Sequence, residues 1–113
     1  MTSDNRLPLV DALMARYNAR DVDGYAALMT EDATEGLYRG AVLRDGREGV
    51  CAGLAAMFAA YPENHAVVHA RYAVGDKVVL HEEVFRSNAA EPFEVVSIYS
   101  FAGDRVERVD FVR

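Results

Sequence analysis

The sequence predicts an α+β domain in which three N-terminal helices pack on a curved, mostly antiparallel sheet. Three observations lead there. Apolar residues recur at helical spacing up to Tyr61, with one short strand interposed. From His65 onward the pattern becomes four runs rich in Val, Phe, Tyr and Ile. Turn chemistry rather than helix separates those runs, so that neighbours in sequence pair as neighbours in the sheet.

In chain order, Ser3, Asp4 or Asn5 caps a first helix, and Pro8 is tolerated in its first turn. Leu9, Val10, Leu13, Met14 and Tyr17 form its apolar stripe, which Asn18-Ala19-Arg20 interrupts. Asp21 caps a short second helix carrying Val22, Tyr25, Leu28 and Met29. Ala33 to Tyr38 reads as a first strand, followed by a long loop. Asp45 and Glu48 stand at capping-box spacing and open a third helix, with Val50, Leu54, Met57 and Tyr61 on its inner face and Pro62 at its end. The strands that follow are His65 to Val74, Lys77 to Arg86, Phe93 to Phe101 and Arg105 to Arg113. Gly75-Asp76, the loop from Ser87 to Pro92, and Gly103-Asp104 join them.

The last three strands are apolar on both faces. Val78, Leu80 and Val84 oppose Val79 and Phe85, and Phe93, Val95 and Tyr99 oppose Val96 and Ile98. One face meets the helices, and with no sequence left to cover the other, a homodimer through the open face is expected.

A chain of 113 residues that is 51% apolar suits a single domain over 1–113 with its own core. The single Cys51 cannot bridge internally, which suits a reducing cytoplasm or a small buried side chain. Thr2 to Arg6 is polar and Pro8 follows, unlike a secretory leader. The longest apolar run, Leu54 to Tyr61, falls far short of the roughly 20 residues a membrane helix needs. The net charge is −6 and no basic stripe forms, so nucleic acid and anionic membranes are not expected partners.

Asp21-Val22-Asp23-Gly24, Leu28 to Thr34 and Gly46-Arg47-Glu48-Gly49-Val50 resemble the short acidic helix, strand entry and helix start of ketosteroid isomerases. Ala60-Tyr61-Pro62-Glu63 resembles the end of the third helix in SnoaL-like proteins. The chain as a whole is similar to the nuclear transport factor 2-like superfamily, which implies a cone-like, cystatin-like fold. The resemblance covers nearly the whole chain but rests mostly on caps, turns and core. Isomerases of this kind use a carboxylate base, with a tyrosine and a protonated aspartate holding the oxyanion. Carried over by position, these roles fall on Leu37, Leu13 and Ser97, with Tyr17 one turn after Leu13 on the same face. Leucine cannot abstract a proton, so the resemblance does not imply classical steroid isomerisation.

Other residues still offer chemistry. Glu35 shares the face of Leu37, and Glu82 shares that of Leu80 and Val84, so both carboxylates are expected in the cone's interior. There, burial and mutual repulsion would raise their pKa values and suit one to act as base, the other as acid. The competing readings are a solvated Glu35 at a strand end, and a one-residue slip that turns His81 and Glu83 inward in place of Glu82. Tyr17, Ser97 and Tyr99 are candidate hydrogen-bond donors to a ligand, with Leu37 lining the same space. His65, His69 and His81 lack metal-ligand spacing, and Gly40, Gly46 and Gly49 form no phosphate loop, so neither metal nor cofactor is expected. Asp110 is read as an edge or interface residue.

The expected function is a pocket for a small, mostly apolar organic molecule, with cofactor-free acid–base chemistry such as isomerisation, cyclisation or hydration. Glu35 and Glu82 would transfer protons, and Tyr17, Leu37, Ser97 and Tyr99 would bind substrate. The alternative is a module that binds a ligand or dimerises without turnover.

Overall fold

The computed structural model describes residues 6–113, so the expected caps Ser3, Asp4 and Asn5 lie outside the described residues. The elements run α1 (Leu7–Asn18), α2 (Val22–Ala27), β1 (Met29–Leu37), β2 (Val42–Asp45), α3 (Gly46–Ala60), β3 (His65–Val74), β4 (Lys77–Phe85), β5 (Phe93–Ala102) and β6 (Arg105–Val112). One α+β sheet orders the strands β2-β1-β6-β5-β4-β3. All neighbours are antiparallel except β1 and β6, which run parallel.

Local chemistry accounts for most boundaries. Pro8 sits in the first turn of α1, where its missing N–H costs nothing. The Asp21 carboxylate accepts from the Gly24 N–H at 2.9 Å and caps α2. Gly75, at φ +58°, supplies the left-handed backbone of the β3–β4 turn, a conformation that costs glycine little.

Two expectations are corrected between Leu37 and Gly46. The loop contains strand β2, which pairs with β1 through Thr34↔Asp45 and Glu35↔Arg44. Its apolar residues, Val42 and Leu43, are adjacent rather than alternating and both half-exposed, so no two-residue period marks it. Asp45 precedes α3 as the last residue of β2, but its side chain makes no capping hydrogen bond.

The core lies between the helices and the inner face of the sheet. Val10, Leu13 and Met14 of α1, Tyr25 of α2, and Val50 and Leu54 of α3 pack against Val78, Leu80, Val95, Tyr99, Val106 and Val109. Alternation along β4 and β5 sends even residues 78–84 and odd residues 95–99 inward. Asn18 ties the end of α1 to β3 as a strand would. Its Nδ2 donates to the Ala66 carbonyl and its Oδ1 accepts from the Ala66 N–H, each at 2.9 Å.

The outer face carries Tyr72, Val79 and Ile98 in one cross-strand row and His81, Val96 and Val112 in the next. Tyr72 and Val112 are exposed. His69 bonds Glu83 and His81 bonds Glu94 on the same surface. Asp110 also lies there, accepting from the Arg108 Nε at 2.7 Å. Among the described residues no helix is long and apolar enough to cross a membrane.

Candidate functional site

A cavity of about 80 Å³ opens between α1, the end of α3 and the inner sheet face, several times the ~10–15 Å³ that one water requires. Its wall is largely apolar, built by Met14, Met57, Val84, Val95 and Phe111. Into it project Tyr17, Glu82, Ser97 and Tyr99, four residues the sequence nominates. Glu82 faces inward with Leu80 and Val84, while His81 and Glu83 face outward.

Glu82 is buried, and its Oε2 accepts from the Ser97 hydroxyl at 2.6 Å. Among the described residues no Lys, Arg or His lies within 4.0 Å of its carboxylate. Loss of water raises its pKa above the ordinary 4.5. The Ser97 bond opposes that shift and the charge of Glu35 adds to it.

Glu35 occupies a different environment and does not line the cavity. It is wholly buried, with Oε1 held by the Arg44 Nη1 at 2.6 Å and Oε2 by the Tyr25 hydroxyl at 2.6 Å. Register explains the pairing, since Arg44 is the cross-strand partner of Glu35 in the β1–β2 hairpin. Gly53 of α3 makes room for it. A Cβ there would stand 2.6 Å from the Arg44 Nε and 2.8 Å from its Cδ, so the arginine stem crosses the helix where a side chain is missing. Leu37, two residues on from Glu35, is half-buried and also outside the cavity wall.

The tyrosines stay neutral and donate. Burial raises the pKa of Tyr17, and burial pushes those of Tyr25 and Tyr99 well above the ordinary 10.0. The Tyr99 hydroxyl lies 3.7 Å from the Met14 sulfur. The Tyr17 ring meets Phe58 edge-on, with centroids 5.4 Å apart. Its hydroxyl accepts from the Asn64 Nδ2 at 2.7 Å, and the Asn64 Oδ1 accepts from the Arg86 Nη1 at 2.8 Å. The string Arg86–Asn64–Tyr17 therefore fixes the phenol from the cavity rim. Sequence reading missed Asn64, Arg44, Tyr25 and Arg86. The alternation that turns Glu82 and Val84 inward also turns Arg86 inward, and was signal enough for that one.

Among the described residues no three His, Cys, Asp or Glu side chains converge as a metal site would require. His65 stacks on Phe85, and His69 and His81 engage glutamates on the outer face.

A three-helix layer over a curved sheet, with a side-chain-lined hollow between them, is the architecture of the nuclear transport factor 2-like class. Residues 10–109 match the family model of the SnoaL-like domain, and the chain belongs to that family. It is similar to a cystatin-fold protein from Novosphingobium aromaticivorans, with 46% identity, a TM-score of 0.91 and coverage of 100% of this chain and 99% of that one. A polyketide-cyclase candidate from Sinorhizobium meliloti aligns at 17% identity and a TM-score of 0.81, over 99% and 100% of the two chains. A protein of ketosteroid isomerase-like fold from Catenulispora acidiphila, solved with trimethylamine, aligns at 21% identity and 0.75, over 93% and 84%. Among curated proteins none matches the chain.

Proposed function

We propose that this protein holds a small, mostly apolar organic molecule in the cavity and moves a proton on it without a cofactor, with Glu82 as the transferring group. The observation that carries the reading is the state of Glu82: buried, in the wall of an apolar hollow, held by a neutral hydroxyl and by no cation. A carboxylate whose pKa is raised in this way is a stronger base than a solvated one and can take a proton from carbon or oxygen and return it. Tyr17 and Tyr99, kept neutral by burial, offer hydroxyls to an oxygen that gains charge as the proton leaves. Isomerisation, cyclisation and hydration all need this pair of functions. Glu35, fully occupied by Arg44 and Tyr25, serves in this reading to fix β2 against the sheet.

The working unit in this proposal is a homodimer in a reducing cytoplasm, joined through the outer sheet face. Tyr72 and Val112 supply exposed apolar surface there, and the His–Glu pairs supply hydrogen-bonding groups for a two-fold related copy. A second reading, a binding module without turnover, is favoured by the small volume of the hollow, into which Met57 and Phe93 project.

Proton abstraction can be read before the reaction is known. Incubating the protein in D2O with enolisable aromatic and terpenoid ketones, and following deuterium uptake by NMR, reports it directly. Catalysed exchange by the wild type that Glu82→Gln lowers by about 10²–10⁴-fold supports the proposal. A ligand-induced thermal shift common to both proteins, without exchange in either, supports the binding module. Undiminished exchange in Glu82→Gln removes Glu82 from the role.

A further inference from the structure

Three arginines reach the cavity wall, and among the described residues only Arg44 has a carboxylate to answer it. Arg86 and Arg113 each stand two positions beyond an inward-facing residue at the end of a strand, Val84 on β4 and Phe111 on β6, and both line the cavity. Among the described residues neither has a carboxylate within 4.0 Å. Both guanidinium groups lie over the single ring of Phe93, with Cζ 5.1 Å from its centroid for Arg86 and 5.4 Å for Arg113. Arg86 also lies 5.3 Å from the Tyr61 centroid and is anchored by the Asn64 Oδ1.

This arrangement is unusual for a chain of net charge −6. Two like charges against one ring repel each other, and surface arginines in an acidic protein ordinarily find carboxylates. The aromatic faces orient the guanidinium planes without neutralising them, leaving N–H edges for a planar oxyanion. Below them the wall is apolar, with Met57, Val84 and Val95 leading down to Glu82. Resting on the reading of this hollow as a ligand site, we infer that its ligand is an organic acid: a carboxylate or comparable oxyanion bound at the mouth by Arg86 and Arg113, with a hydrophobic body directed inward at Glu82. The anionic head stays at the rim, away from the buried carboxylate, and the reacting carbon lies at the opposite end of the molecule.

The test is calorimetric titration of the full chain with three isosteric families differing only in head group: 3-phenylpropanoate, 3-phenylpropanamide and 3-phenylpropylammonium, with the cinnamic and naphthoic counterparts. The inference expects the carboxylate to bind at least tenfold more tightly than its amide, and the gap to narrow in 0.5 M salt as screening sets in. It expects Arg113→Gln to lower carboxylate affinity while leaving amide affinity unchanged, and Arg86→Lys to keep more of the preference than Arg86→Gln. Arg113 is exposed and outside the strands, so its variant carries the test if Arg86→Gln fails to fold. Equal binding of acid and amide, or preference for the ammonium, overturns the anionic head group and leaves the pocket standing. Failure of every family to bind overturns both.

Discussion

Glu35 and Glu82 are the same residue type on the inner face of the same sheet, both removed from water, and they have opposite surroundings. Glu35 on β1 meets a guanidinium and a phenol, each at 2.6 Å. Glu82 on β4 meets one serine hydroxyl and an apolar hollow. The first carboxylate has its charge answered and its oxygens occupied. The second has one oxygen engaged by Ser97 and stands in the wall of the hollow. Burial alone therefore does not mark a reactive carboxylate; the identity of its partners does.

The largest test of the contrast removes the answering charge. Arg44→Met leaves a wholly buried carboxylate with only Tyr25, and the fold should lose about 3–5 kcal/mol, read from urea unfolding at neutral pH. A loss below 1 kcal/mol would make Glu35 as weakly committed as Glu82 and erase the distinction. Tyr25→Phe removes the other partner and should cost about 1.5–3 kcal/mol, the range for a hydrogen bond to a charged group.

For Glu82 the expected sign is reversed. Its folded pKa is raised above the unfolded 4.5, so between those two values the folded state binds more protons than the unfolded one. Stability from this group is complete below pH 4.5 and falls as pH rises through the folded pKa, after which the penalty is constant. Glu82→Gln lacks that penalty. Its stability relative to wild type should improve from pH 4 to pH 8, and a gap that stays flat or closes the other way would deny the raised pKa. The smallest effect belongs to Ser97→Ala. Losing the hydroxyl should cost about 1 kcal/mol and move the Glu82 titration, followed by carboxyl NMR, still further upward.

The sequence was most legible where two periodicities ran long. Alternation through β4 and β5 turns Leu80, Glu82 and Val84 and then Val95, Ser97 and Tyr99 to one face, and α1 brings Tyr17 over them. All of these but Leu80 line the cavity. It was illegible where geometry depends on short or irregular backbone. β2 has four residues and no alternation, so nothing announced that Arg44 would stand opposite Glu35. Asn64 lies between Pro62 and β3, in no periodic segment, yet it is fully buried and links Arg86 to Tyr17. Alternation gives the inward direction of the Glu35 carboxylate and says nothing of what meets it.

The parallel pairing of β1 with β6 has a consequence for how the chain acquires its structure. β6 lies between β1 and β5 in the sheet, although it is the last strand in the sequence. The hairpin of β1 and β2 shares no ladder with the β3–β5 meander except through it, and the Arg108–Thr34 hydrogen bond closes a separation of 74 residues. Such distant pairing carries the entropy of a long closed loop, which must be met before its contacts form. On the ribosome, β1 and the hairpin that bears Arg44 must wait for Arg105–Val112 to emerge before they join a sheet. Until then Glu35 has no place to be buried, and the edge of β1 is an open template for pairing with another chain.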